Sequence, residues 1–387
     1  MNSSHLLRSF NFLYFALLAL FVSFLPVYLD AQGLTTSKIG LIIGTGGIIT
    51  IFSQPLWGMI SDRTRTIKKI MLLLLACSTI TGYFLYASNS FFILLLFTML
   101  LYFFLMPLDP LTESLNFQIA ELNGVSYGSI RTFGAFGYAV TSLVVGYAML
   151  YFGAHSLALL FAGTGVLSFL ICLCLPDAPA TGKPVTWKSL RNFLSYRETL
   201  WFLVLIFIAA VPQRINDTYL GVYIRKLGGT SDLVGQAWFL AAGSEILVFA
   251  LSFWWMRKGK EMLMISIACL FYVIRFFLSA WITDPHVLTY LQLLQTFTFP
   301  VFYSAAIQYL YRIVPEEWKA TGQTVLALLF FGVSGIVASY LGGLAYEYLG
   351  ARTMYLLISS MSFVGLLLSF VLHRVYGGRH SAIPRPS

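Results

Sequence analysis

The chain has 387 residues, of which 58% are hydrophobic and only 10% are charged, with a formal net charge of +9. Soluble domains carry about one-quarter charged residues, so this composition excludes a soluble globular protein and predicts an integral membrane protein. The four cysteines all fall in apolar stretches without metal-ligand spacing, which argues against a disulfide framework or a metal site.

Apolar stretches long enough for a helix to cross a ~30 Å hydrocarbon core recur along the whole chain. The first has too long an apolar run for a signal peptide, and another span follows it directly. We therefore predict twelve transmembrane helices. The predicted spans are 10–30, 39–60, 69–88, 91–113, 130–152, 155–175, 199–223, 233–256, 262–282, 287–311, 321–346 and 351–373.

Basic residues are unevenly distributed among the loops. Most lie on the side that carries both termini, whereas the other side holds only Lys38, Arg225, Lys226 and Arg352. Because Lys and Arg in short loops resist translocation, this bias predicts a multi-pass protein of the plasma (inner) membrane with both termini cytoplasmic. The same bias, with contact to anionic lipid headgroups, explains the positive charge without nucleic acid.

The two halves of the chain resemble each other. Residues 25–40, "LPVYLDAQGLTTSKIG", align without a gap to residues 220–235, "LGVYIRKLGGTSDLVG", and "GYAMLYFGA" at 146–154 aligns to "GLAYEYLGA" at 343–351 at nearly the same offset. Duplicated halves are common in secondary transporters. We predict an all-α membrane protein with two pseudo-symmetric six-helix bundles, 1–175 and 199–373, a cytoplasmic linker at 176–198 and a cytoplasmic tail at 374–387.

The loop between predicted spans 2 and 3 reads "GMISDRTRTIKK" at 58–69. It resembles the Gly-x-x-x-Asp-Arg/Lys-x-Gly-x-Arg/Lys-Arg/Lys signature of the major facilitator superfamily. The resemblance implies that Gly58 allows close helix approach and that Asp62 and Arg63 form a charged lock that gates transport. Arg65 occupies the position of the second Gly, so the turn can differ; the alternative interpretation is an ordinary basic loop.

The stretch "PLDPLTESLNFQIAELNGVSYGSIRTFGAFGYA" at 107–139 resembles the branch of that superfamily containing lactose permease, the nucleoside proton symporters and the phenylpropionate permeases. Glu113 and Arg131 stand 18 residues apart, as do the sugar-binding Glu and Arg of lactose permease. This implies substrate binding by Glu113 and Arg131, with Asp109 beside them. "SEIL" around Glu245 and "YVIRFF" around Arg275 extend the likeness to the phenylpropionate permeases.

Lactose permease relays its coupling proton through a His and a Glu in its tenth helix. Predicted span 10 has no ionisable residue here, and its polar groups are Gln292, Gln295 and Gln308. Any proton coupling must therefore use carboxylates elsewhere in the chain. Sodium coupling through acids of span 2 is disfavoured, because 39–60 contains none.

Glu245 and Arg275 both lie near mid-membrane. At 1.5 Å per residue, Glu245 is about 20 Å from Asp232 at one surface and Arg275 about 21 Å from Glu261 at the other. A charge at this depth costs on the order of 3 kcal/mol, so intramembrane acids are usually paired or functional. We expect a bidentate ion pair between Glu245 and Arg275 that breaks and re-forms with the transport cycle, with Glu245 carrying the proton and Arg275 binding substrate.

Four further charged residues have structural alternatives. Arg214 and Asp217 are three residues apart on one predicted helix and can simply neutralise each other; if they face a cavity, Asp217 is the second candidate for proton coupling. Asp109 and Glu113 lie near the predicted cytoplasmic end of span 4, where solvation at the interface is the alternative to substrate binding or gating.

These features predict a proton-coupled symporter for uptake of a small polar organic solute. The sequence does not distinguish among a sugar, a nucleoside and an aromatic carboxylate as that solute. The alternative is a proton-coupled efflux antiporter, although span 5 lacks the Gly-Pro pair of many exporters. A non-transporting membrane sensor is less favoured, since no output domain is evident. No enzyme motif occurs, and we expect no cofactor, no metal and a functional monomer whose partners are substrate, protons and the lipid bilayer.

Overall fold

The computed structural model describes residues 3–177, 196–251, 255–256, 259–314 and 318–376, and within these ranges every regular element is helical. Six membrane-spanning helices make up the N-terminal bundle. They are α1 (3–31), α2 (Thr36–Thr64), α3 (Lys68–Tyr86), α4 (Phe91–Asn123), α5 (Tyr127–Phe152) and α6 (Ser156–Cys174).

The C-terminal bundle repeats this arrangement with six more helices. They are α7 (Arg197–Lys226), α8 (Ser231–Ala250), α9 (Glu261–Trp281), α10 (285–313), α11 (319–349) and α12 (351–376), with non-helical Gly350 (φ 80°) separating the last two. Nine helical stretches of the described chain are long and apolar enough to cross a membrane, and one of them contains both α11 and α12. With α8 and the interrupted α10, the predicted twelve spans are confirmed.

The largest error in the predicted boundaries is in α4. This helix continues to Asn123, ten residues beyond the predicted end, and Gly124 caps it with φ 63°. Glu113 therefore lies about 15 Å, and Asp109 about 21 Å, before the end of the helix. The prediction that both acids lie near the end of the span was wrong. Most of the predicted linker, at 178–195, and the tail after residue 376 lie outside the described residues.

Three helices depart from α geometry inside the bundles. α1 contains a π-helical turn at Ala19–Ser23 and α11 another at Leu328–Val333. α10 consists of Pro285–Leu291, a 3₁₀ segment at Gln292–Phe297, non-helical Thr298 and a second α-helix at Phe299–Ile313. Pro300 in the first turn of that second helix lacks an N–H and cannot continue the ladder. Short 3₁₀ and π segments within long helices often mark functional hinges.

The two bundles meet where α2 packs on α11 and α5 packs on α8. Small residues set the separation between the helices. A Cβ on Gly40 would overlap the carbonyl oxygen of Ser339, and one on Gly146 would lie 2.8 Å from that of Ser231. Glycine at such positions lets helix backbones approach closely, as predicted for Gly146 from the sequence.

The recorded hydrogen bonds and ion pairs between the bundles, within the described ranges, all lie toward one end of the helices, which we call the closed end. Thr36 Oγ1 donates to the Gly343 carbonyl (3.1 Å), and Thr45 Oγ1 and the Tyr340 hydroxyl are 2.8 Å apart. Asp30 of α1 receives two cations from α7. Its carboxylate oxygens lie 3.8 Å from Arg225 Nε and 3.4 Å from Lys226 Nζ.

The opposite end of the helices carries the predicted gating motif. A Cβ on Gly58 would meet nothing within 4 Å, and Asp62 and Arg63 are exposed. Neither of these charged side chains forms an ion pair with any other described residue. The close approach at Gly58 and the charged lock implied by the family resemblance are therefore not formed in this conformation. The bundles are closed at one end and the motif at the other end is disengaged.

We expect Gly40→Ala to separate the bundles at the closed end. Alanine in place of glycine within a helix ordinarily stabilises by roughly 1 kcal/mol, but here the added methyl group would overlap the Ser339 carbonyl. Spin labels at exposed positions 89 and 283, one in each bundle, should lie farther apart in the variant than in the wild type. Double electron–electron resonance measures this distance. Gly163→Ala is the control, because a Cβ there meets nothing within 4 Å. Unchanged distances in Gly40→Ala would contradict the described packing.

Candidate functional site

Glu113 and Arg131 form an ion pair inside the N-terminal bundle. Arg131 Nε lies 2.8 Å from Glu113 Oε1, and the other carboxylate oxygen accepts a hydrogen bond from the Tyr127 hydroxyl. Arg131 also stacks on Phe15, with the guanidinium carbon 4.1 Å from the ring centroid. The spacing of 18 residues therefore does bring the two side chains together across the α4–α5 turn. Both remain partly exposed, at 24% for Glu113 and 38% for Arg131.

Asp109 lies one helical turn before Glu113 and interacts electrostatically with both Glu113 and Arg131. It has no recorded ion pair with any described residue. This half of the site thus holds two acids and one base.

Arg275 is at the centre of the C-terminal bundle and is only 1% exposed. Its Nη1 donates to Gln295 Oε1 and its Nη2 donates to Gln292 Oε1. In a 3₁₀ helix the side chains at i and i+3 are eclipsed, so the 3₁₀ segment of α10 places both amide oxygens on one face. There they match the two-pronged geometry of a guanidinium group. The charge of Arg275 is thus held by neutral amides.

Glu245 does not form the direct ion pair with Arg275 that we expected. The Gln295 amide lies between them: its Nε2 donates to Glu245 Oε1 (2.9 Å), while its Oε1 accepts from Arg275. The expectation treated α8 and α9 as neighbours, but the 3₁₀ segment of α10 packs between them. Arg275 is also too buried to touch a solute in this conformation, so a direct substrate contact would require rearrangement.

Arg214 and Asp217 pair within α7, with Arg214 Nη1 3.1 Å from Asp217 Oδ2. This is the local neutralisation weighed from the sequence, but the pair is not isolated. Gln213 Nε2 donates to Asp217 Oδ1 (2.7 Å) and lies 3.5 Å from Gln295 Oε1. Asp217 is therefore connected to Glu245 and Arg275 through two glutamines.

The two halves of the site face each other across the interface. Glu245 lies within electrostatic range of Arg131 of the other bundle, and Tyr303 of α10 lies near Asp109. Tyr138 of α5 lies near Asp217, Arg214 and Glu245. Its hydroxyl and that of Ser23, in the π-helical turn of α1, are hydrogen-bonded at 2.6 Å. The predicted site residues thus converge on one central region, whereas Gly58, Asp62 and Arg63 lie apart from it.

Several residues of this network had no assigned role in the sequence interpretation. Gln292 and Gln295 were noted only as polar groups, and Gln213 and Tyr127 were given no role. Their signal was present: two amides spaced i, i+3 in an apolar span, shortly before a proline, indicate an interrupted helix with a polar face. No cluster of His, Cys, Asp and Glu that could hold a metal ion occurs in the described part of the chain.

Two bundles of six helices that meet at a central charged region are the architecture of the major facilitator fold. The chain belongs to the family described as the MFS_1 like family, whose model matches residues 5–357.

Two relatives named as transporters match the chain along most of their length. The chain is 28% identical over 372 residues to the maltose permease of Geobacillus stearothermophilus, covering 93% of this chain and 92% of that one. It is 26% identical over 345 residues to the probable 3-phenylpropionic acid transporter of Escherichia coli (strain K12), covering 88% and 90%. The predicted superfamily and the likeness to phenylpropionate permeases are confirmed.

Among solved structures, the nucleoside transporter NupG superposes with a TM-score of 0.86 at 16% identity, covering 97% of this chain and 100% of that one. At this identity the match establishes the twelve-helix fold alone.

Proposed function

We propose that the protein takes up a small polar organic solute with a proton by alternating access between its two bundles. The observation that carries this proposal is the state of Glu245: it lies inside the helical bundle, is only half-buried, and receives a hydrogen bond from a neutral amide with no cation in contact. A carboxylate at this depth costs on the order of 3 kcal/mol when charged. Glu245 is therefore suited to gaining and losing a proton during the transport cycle.

The solute class follows from how the arginines are used. Arg131 is paired with Glu113, Arg214 with Asp217, and Arg275 is buried against glutamines. No deep arginine among the described residues is free to receive a solute carboxylate, whereas Asp109 and Glu245 lack a contacting cation. This balance supports an uncharged solute rich in hydroxyl groups, such as a sugar or a nucleoside, over an aromatic carboxylate. The relative named as a maltose permease is consistent with this choice.

The predicted topology assigns the two ends of the helices to the two sides of the membrane. The basic loops lie at the end of the helices that carries the disengaged motif, and the closed end carries few basic residues. With the basic side cytoplasmic, the conformation faces inward and would release solute and proton into the cytoplasm. Both halves of the site lie in one chain, so we propose that the monomer, in the plasma membrane, is the transporting unit.

A solute panel tests this function. We expect maltose or uridine, added to proteoliposomes under an inward pH gradient, to accumulate and to make the medium more alkaline, with 3-phenylpropionate giving a smaller signal. Each solute would be followed by a radiolabel and by an external pH electrode, with protein-free liposomes as the control. Acidification of the medium on solute addition would instead indicate exchange, and transport confined to 3-phenylpropionate would contradict the uncharged class.

A further inference from the structure

The Gln295 side chain is bonded on both of its faces. Its amide nitrogen donates to Glu245, while its amide oxygen accepts from Arg275 and lies 3.3 Å from Thr298 Oγ1. A guanidinium group can only donate, so the amide oxygen must face Arg275. The NH₂ group is then directed at Glu245, where it matches an acceptor.

This orientation is matched to an ionised Glu245. A carboxylate only accepts, but a protonated carboxyl also donates. If the proton binds to Glu245 Oε1, its O–H group and the Gln295 NH₂ group are two donors facing each other. If the proton binds to Oε2, Oε1 loses its negative charge and accepts a weaker hydrogen bond from Gln295 Nε2. The amide cannot turn over to compensate, because that would direct its NH₂ group at Arg275.

The main chain of Gln295 lies in the 3₁₀ segment that interrupts α10. Arg275 holds Gln292 and Gln295 side by side on the 3₁₀ segment, and Thr298 Oγ1 donates to the Gln295 carbonyl at 3.1 Å. These contacts fix Gln292–Phe297 against α9. A weaker bond at Glu245 would therefore loosen the segment at the point where α10 changes direction.

We propose that Gln295 is a positioning residue that transmits the protonation of Glu245 to the 3₁₀ segment of α10, so that proton binding frees this segment to move. This inference rests on the proposed proton coupling. Gln295 itself carries no proton: it is a neutral amide whose hydrogen bonds depend on the charge of its neighbour. Other titratable or charged groups also face Glu245, and they are Asp217, Arg275, Arg131, Tyr138 and Tyr272.

Gln292 provides a matched control. It also accepts from Arg275, but its NH₂ group donates to the Leu288 carbonyl (2.9 Å) and not to Glu245. Gln292→Leu and Gln295→Leu thus each remove one amide from Arg275. Only the second also removes the contact with Glu245, together with the weak contacts to Gln213 and Thr298. A purely structural role predicts lower exchange in both variants but no change in how the exchange rate depends on pH.

The experiment compares solute exchange and pH-driven accumulation in proteoliposomes, using whichever panel solute the wild type transports. We expect Gln295→Leu to exchange solute but lose its accumulation, and its exchange rate to lose the pH dependence seen in the wild type. Gln292→Leu, which weakens the hold on Arg275 in the same way, should lose exchange and accumulation in proportion and keep the pH profile of the wild type. Gln295→Asn, whose shorter side chain cannot span both contacts, should behave as Gln295→Leu and is the second variant should Gln295→Leu fail to fold.

The outcomes separate this inference from the function on which it rests. Equal loss in the Gln292 and Gln295 variants, or an unchanged pH profile in Gln295→Leu, would overturn the role of Gln295 while leaving proton coupling intact. Absence of pH-driven accumulation in the wild type would reject the proposed function itself.

Discussion

Glu245→Gln should abolish uphill uptake while leaving solute exchange. Glutamine has nearly the same shape as glutamate and can still accept the hydrogen bond from Gln295 Nε2, but it cannot take up a proton. For an uncharged solute carried with one proton, the wild type should accumulate about tenfold per unit of pH gradient, because one pH unit is worth ~1.4 kcal/mol. The variant should equilibrate its solute to about the external concentration. Radiolabelled uptake at a clamped membrane potential measures both.

The control for this variant is Glu121→Gln, which removes an exposed acid in the last turn of α4. It should accumulate solute like the wild type. Accumulation by Glu245→Gln at the wild-type level would assign coupling to another acid, with Asp217 or Asp109 the next to be tested.

Breaking the pair between Glu113 and Arg131 should have the second-largest effect. Arg131→Gln removes a charged hydrogen-bond donor from a partly exposed position in the site and leaves Glu113 with only Tyr127. A hydrogen bond to a charged group contributes about 1.5–3 kcal/mol, so solute exchange should fall on the order of 10- to 100-fold. Counterflow at saturating internal solute measures the loss.

The double variant Glu113→Gln/Arg131→Gln decides what the pair does. If the pair binds solute, neutralising both members leaves exchange as low as in the single variant. The ion pair between Glu261 and Arg312, at 2.8 Å, lies away from the central region and is the matched comparison. There the double variant should recover most of the exchange lost in Arg312→Gln. Recovery at Glu113 and Arg131 as well would make that pair structural.

The sequence was sufficient for the fold because lipid imposes a strong constraint. Each span must be long and apolar, and the repeated segments at 25–40 and 220–235 reported the duplication directly. The boundary of α4 was misplaced because the polar residues after Glu113 resemble a loop, although they continue the helix to Asn123. Amphipathic helical turns beyond the apolar core carry no hydropathy signal.

The positions of the candidate residues along the helices were predictable, but the contacts that these residues make were not. The 18-residue separation that Glu113 and Arg131 share with the sugar-binding pair of lactose permease indicated that the two residues act together, and the turn between α4 and α5 brings them into contact. The relation of Glu245 to Arg275 could not be read in this way, because it depends on how α10 packs between two other helices. Counting residues along a helix gives the depth of a charge in the membrane but not its position in the membrane plane. The position of Gln295 between Glu245 and Arg275 depends on the packing in that plane.

The ion pairs at the closed end give the transporter a sensitivity to ionic strength. Lys226 is 58% exposed, so dissolved ions can reach its contact with Asp30. The Debye length falls from about 10 Å at 0.1 M salt to about 3 Å at 1 M, while the glycine contacts between the bundles are indifferent to salt. If the closed end faces outward, high salt outside the cell would weaken the ion pairs with Asp30 and leave the glycine contacts unchanged. The balance between inward- and outward-facing states would then shift without any change in solute concentration.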